Sequence, residues 1–185
     1  MTGIGMWTIA AQSPHLVAIV EPGGRTLTYG ELASEADRIA RGLRSAGLAT
    51  GDTIALLLPN GADILTVYFA AAQIGLHVVP LNWHLTPAEL GYILRDSGAR
   101  VFVADPRFGA AASAAGGDIE LRYATGDIPG FRSLAGLGAG GSGRPGGRTM
   151  GALMVYTSGT SGRPKGVRRP LLNAAASSRS PRSHQ

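Results

Sequence analysis

A mostly parallel β-sheet flanked by helices, an α/β fold, is predicted by three features of this 185-residue sequence. Helical and strand-like segments alternate through residues 1–105. The strand-like segments are short, continuous apolar runs rather than alternating ones, which suits strands covered on both faces. The helical segments carry explicit start and stop signals, and helix–strand alternation is the α/β pattern.

The elements follow in order. Thr28 and Glu31 have capping-box spacing, in which each side chain satisfies a free backbone donor at a helix start. Leu32, Ala36, Ile39, Ala40 and Leu43 then recur on one helical face, with Arg38, Arg41 and Arg44 largely off it. Gly47 suits the left-handed residue that ends such a helix. The run 54–58 reads as a buried strand. Asn60 is the expected cap of a helix running to Gly75, and 78–81 is the next strand. The most apolar stretch, 64–81, is broken by Gln73, Gly75, His77 and Pro80, so it reads as helix then strand and not as a membrane span. Thr86, Pro87 and Glu89 repeat the start signal, with proline where its missing N–H costs nothing. The run 101–104 is a further strand. Residues 106–148, with runs such as GAAASAAGG and GLGAGGSGRPGG, read as a poorly ordered connection with weak helix at 110–115. The organisation expected is therefore one partial domain over 1–172 and a disordered tail over 173–185.

Composition narrows the function. Of the formal net charge of +5, +4 comes from Arg168, Arg169, Arg179 and Arg182, so no basic face remains to track nucleic acid. Cysteine is absent, which excludes disulfides and thiolate metal sites and fits a reducing cytoplasm. The first residues have no basic segment ahead of their apolar part, unlike a secretory signal. His15, His77, His84 and His184 are scattered and read as structural or surface groups. Asp37, Asp63 and Asp96 read as helix-surface or first-turn charges. Tyr68 and Phe69 fit a helix core face, and Trp83 and His84 sit beside a strand end.

The chemistry concentrates after the last apolar run, 152–156. There follows Thr157-Ser158-Gly159-Thr160-Ser161-Gly162-Arg163-Pro164-Lys165-Gly166. Glycines let backbone N–H groups approach a phosphate, hydroxyls donate to its oxygens, and lysine adds a compact charge. Lys165 is the sole lysine in the chain. The loop is not a Walker loop, because Lys165 stands between Pro164 and Gly166 with no hydroxyl residue after it. Spacing alone leaves two readings, a phosphate loop and a Gly/Ser-rich surface turn.

The segment YTSGTSGRPKGV closely resembles the signature loop of the adenylate-forming superfamily. Upstream, TYGELASEADRIARGLRSAGLATGDTIALLLPNGADILTVYFAAAQIGLHVVPLNWHLTPAELGYILRDSGARVFVAD resembles that family's amino-terminal subdomain. Together these cover roughly residues 16–170, and the phrasing is most similar to acyl-CoA synthetases for fatty or related acids. The resemblance implies the amino-terminal part of the ligase large domain, incomplete, and a reaction in two steps. A carboxylic acid and ATP give an acyl-adenylate and pyrophosphate with Mg2+; coenzyme A then gives the thioester and AMP. It assigns Thr157, Ser158, Gly159, Thr160, Ser161, Gly162, Lys165 and Gly166 to the phosphates, with Ser161 standing where threonine is more usual. It places the adenine, ribose and acyl contacts and the catalytic lysine further downstream, so no catalytic or metal-ligating residue is expected here. It also leaves room for a partner chain that supplies the other half. After Leu171 the text turns abruptly to LNAAASSRSPRSHQ, which leaves two readings, a shifted frame or early stop and a natural disordered tail.

Overall fold

The computed structural model describes residues 5–146, 149–157 and 164–171. In order, α1 (Met6–Gln12) leads to a hairpin of β1 (Val17–Val20) and β2 (Thr26–Thr28), then α2 (Tyr29–Ser45), β3 (Thr53–Leu57), α3 (Ala62–Gln73), β4 (His77–Pro80), α4 (Pro87–Asp96) and β5 (Ala99–Ala104). A 3-10 turn (Pro106–Phe108) precedes α5 (Gly109–Ala115), β6 (Leu121–Ala124), β7 (Arg132–Ser133), β8 (Ala152–Thr157) and β9 (Lys165–Arg168). The main sheet has seven strands in the order β7-β6-β5-β3-β4-β8-β9, parallel throughout except for the antiparallel pair β8–β9.

The helix boundaries follow local chemistry. At α2, Thr28 Oγ1 accepts from the Glu31 N–H at 3.2 Å, and the Glu31 carboxylate accepts from the Thr28 N–H at 2.8 Å. Thr86 and Glu89 make the same exchange at α4, with Pro87 as its first residue. The Thr28 backbone N–H holds the Glu31 carboxyl below its ordinary pKa, and the Thr86 hydroxyl does so for Glu89. Gly47, at φ 85°, closes α2: the Leu48 N–H reaches the Leu43 carbonyl at 3.1 Å and the Gly47 N–H reaches that of Arg44 at 2.9 Å. This paired bonding needs a left-handed residue, hence glycine.

Asn60 does not cap α3. The helix starts at Ala62, whose N–H donates to Glu21 Oε1 at 2.8 Å. A carboxylate from the residue after β1 thus replaces the local cap, and a Cβ on Gly61 would lie 2.4 Å from that same oxygen. Asp37, read as a surface charge, is buried and meets Arg144 at 3.8 Å.

Alternate residues of the central strands feed two cores. Ile54 and Leu56 of β3, Val78 of β4 and Val101 and Val103 of β5 pack with α2 and α3. Ala55, Leu57, Val79, Phe102 and Ala104 pack with α4 and α5. All five residues of β3 are buried, which is why the strand reads as continuous apolar text.

Residues 106–148 read as a connection, yet within 106–146 lie α5, β6 and β7, and β6 pairs with β5 over four residues. The cause is long-range. Arg38 of α2 donates to the carbonyls of Ala135 (2.9 Å) and Leu137, and Arg41 donates to those of Gly141 (2.8 Å) and Gly143. Two arginines off the apolar face of α2 thus satisfy the carbonyls of the glycine-rich segment, while Leu134 and Leu137 enter the core.

Candidate functional site

β8 pairs with β4 only at Ala152 and Leu153. From Met154 to Thr157 its partner is β9, with Tyr156 opposite Gly166 and Thr157 opposite Lys165. The candidate loop is therefore closed at its base by an antiparallel pair, a strand–loop–strand arrangement unlike the strand–loop–helix of a Walker site. Ser158, Gly159, Thr160, Ser161 and Gly162 lie outside the described residues.

The two faces of the hairpin differ. Leu153, Val155, Thr157, Lys165 and Val167 share the outer face and are all exposed. Thr157 and Lys165 are directly opposed, so their Cβ atoms sit about 5 Å apart. A hydroxyl and an ammonium at that spacing fit the oxygens of a phosphate. The inner face carries Met154, which is buried, and the half-buried Tyr156. Gly166 belongs to this inner face: a Cβ there would stand 2.7 Å from Met154 Cε and 2.8 Å from Tyr156 Cζ. Its glycine thus has a packing reason of its own, close approach of the tyrosine ring.

The hairpin rests on α4. The Tyr156 hydroxyl donates to Asp96 Oδ2 at 2.5 Å, and the Tyr92 hydroxyl lies 3.3 Å from the Pro164 carbonyl oxygen. Burial, then the Asp96 carboxylate, pushes the Tyr156 phenol well above its ordinary value. At the other end of β9, Arg168 Nη2 donates to Thr53 Oγ1 at 2.9 Å, beside the buried His77. Tyr92 escaped the sequence reading, and Asp96, read there as a helix-surface charge, is the acceptor of the Tyr156 hydroxyl. A signal was present in Asp96, an acid in the last turn of a helix, where the dipole disfavours it.

Elsewhere, Trp83 is half exposed and its ring stacks on Phe108 at 5.8 Å between centroids. His84 stacks on Trp83. Tyr68 and Phe69 pack partly buried against the α2–α3 core. Among the described residues no group of three or more histidine or carboxylate side chains could hold a metal ion. No described helix is long and apolar enough to cross a membrane.

Comparison with known proteins identifies the family. The sequence model of the family described as "AMP-binding enzyme" matches residues 6–182. A feruloyl-CoA synthase of an Amycolatopsis species is 39% identical over 167 residues, covering 89% of this chain and 33% of that protein. The long-chain-fatty-acid–CoA ligase FadD13 of Mycobacterium tuberculosis is 34% identical over 177 residues, covering 85% of this chain and 32% of its own length. The solved Mycobacterium tuberculosis fatty acyl CoA synthetase superposes with a TM-score of 0.73 at 29% identity, over 91% of this chain and 33% of that one. The chain spans about a third of the length of the curated relatives it matches. It belongs to the AMP-binding enzyme family of adenylate-forming ligases and corresponds to their amino-terminal part.

Proposed function

We propose that this chain supplies the phosphate-holding portion of an ATP-dependent acyl-CoA synthetase. The carboxylate of an acid attacks the α-phosphorus of ATP, forming the acyl-adenylate and releasing pyrophosphate; the thiol of coenzyme A then displaces AMP and loses its proton. The observation that carries the reading is the opposed Thr157–Lys165 pair, which closes a loop of hydroxyl and glycine residues on an exposed face. In it, Thr157, Ser158, Thr160 and Ser161 donate hydroxyls, Gly159, Gly162 and Gly166 allow close backbone approach, and Lys165 adds charge. These groups hold the β- and γ-phosphates, and their service is positioning and charge neutralisation. Mg2+, bound with the nucleotide, neutralises phosphate charge. The chain binds polyphosphate and by itself does not turn over, because nothing in it is assigned to the acyl group, to the adenine or to coenzyme A.

The test is calorimetric titration of the 185-residue chain with pyrophosphate and with ATP. Weak binding of both is expected, with similar affinities, weakened about tenfold or more in Lys165→Ala, the size of one lost charge-assisted contact. Binding that is identical in wild type and Lys165→Ala would remove the assignment. A second reading, in which a partner chain completes the enzyme, is favoured by the exposed apolar strip Leu153, Val155 and Val167 on the outer face. Thioester formation from acid, ATP and coenzyme A, seen only after adding a separately expressed downstream ligase segment, would support it.

A further inference from the structure

Beyond Thr157 and Lys165, the hairpin has a feature that the phosphate assignment does not use. Tyr156 immediately precedes Thr157, and Pro164 immediately precedes Lys165. Both are held by the carboxyl-terminal half of α4: Tyr156 donates to Asp96 Oδ2 at 2.5 Å, and the Tyr92 hydroxyl sits 3.3 Å from the Pro164 carbonyl and 3.5 Å from Asp96 Oδ1. One helix therefore grips both legs of the hairpin next to the loop. β8 has already left β4 at this height, so these legs are laddered to each other and not to the parallel strands.

We propose that Tyr92, Asp96 and Tyr156 form a clamp that positions Thr157 and Lys165 for a polyphosphate, an inference that rests on the phosphate assignment above. These are positioning residues; they reach the hairpin from its inner side, opposite the face of Lys165. Three observations support the role. Asp96 ends α4, where the helix dipole disfavours an anion, so helix stability does not explain it. A phenol donating to a carboxylate is a charge-assisted bond, stronger and more directional than a neutral one. Gly166 leaves room for the Tyr156 ring, since any Cβ there would strike it. A donor set displaced by about 1 Å loses much of its value, so the legs must be held for the loop to work.

The experiment compares the full chain with Asp96→Ala, Tyr156→Phe, Asp96→Asn and Lys165→Ala. Two quantities are read: amide hydrogen exchange over 152–157 and 165–168, and the affinity for inorganic pyrophosphate. In Asp96→Ala and Tyr156→Phe the hairpin is expected to exchange about tenfold faster, with β3 and β5 unchanged, and pyrophosphate to bind about tenfold more weakly, the scale of one charge-assisted bond. Asp96→Asn keeps an acceptor for the phenol and should lie between these and wild type. Unchanged hairpin exchange in Asp96→Ala would overturn the clamp. So would faster exchange with unaltered pyrophosphate affinity, if Lys165→Ala still weakens binding. If Lys165→Ala and wild type bind pyrophosphate alike, it is the phosphate assignment that fails and the positioning role falls with it, while the exchange data still show whether α4 holds the hairpin.

Discussion

His77 begins β4 with 5% of its surface exposed, and its Nδ1 has no hydrogen-bond partner among the described residues. Burial, then the nearby Arg168 guanidinium, lowers its pKa below the ordinary imidazole value. The folded chain therefore holds the ring neutral, while the unfolded chain takes up a proton near pH 6.5. Protonation favours the unfolded state, so the stability is fully present above about pH 6.5 and is lost as pH falls below it. Denaturation midpoints from pH 7.5 to 5.5 should fall in wild type and fall less in His77→Gln; parallel slopes would reject the link. Lys165 works the other way round: it is exposed, and the role proposed for it is a ligand contact, not packing. Lys165→Ala should lower phosphate affinity with the melting temperature unchanged within about 1 °C, as expected of a surface substitution.

Helix starts and glycine-rich segments illustrate two kinds of dependence. The caps of α2 and α4 rely on side chains three residues apart, so they are legible in local text. Thr86→Ala removes one cap and should cost about 1 kcal/mol, or a fall of about 2–4 °C in Tm. A fall no larger than that of an exposed control such as Ala110→Ser would show that α4 is held by packing alone. The start of α3 and the course of residues 134–143 rely instead on Glu21, Arg38 and Arg41, 41 residues away for Glu21 and 96 or more for the arginines. Composition could show only that the segment is rich in glycine. The carbonyl acceptors that order it belong to its backbone, and the donors belong to α2.

The sheet as a whole is unevenly covered. Its centre is sealed on both faces, but the β8–β9 end exposes Leu153 at 39%, Val155 at 45% and Val167 at 54% in one strip. Among the described residues β9 is also the last strand at its end of the sheet. Exposed apolar strips on edge strands promote association. Sedimentation velocity on the isolated chain should show concentration-dependent self-association. The double substitution Val155→Thr with Val167→Thr, which keeps strand propensity, should reduce it without lowering the melting temperature. A wild-type monomer at all concentrations, with a sharp cooperative melt, would argue that the strip is harmless.

The sequence by itself determined the α/β alternation, because two-sided burial writes itself as continuous apolar runs and helix starts as short-range polar pairs. It also determined the family, through YTSGTSGRPKGV and the text upstream. Thr157 and Lys165 were legible as candidate ligands because hydroxyl, glycine and lysine are what phosphate chemistry requires. Only the tertiary structure decided that these two face each other across a hairpin, that Gly166 answers to a tyrosine ring, and that Asp96 is a hydrogen-bond acceptor rather than a solvated charge. The first two are cross-strand contacts of one hairpin and the third joins residues 60 apart, and all three depend on register and packing, which local composition does not encode.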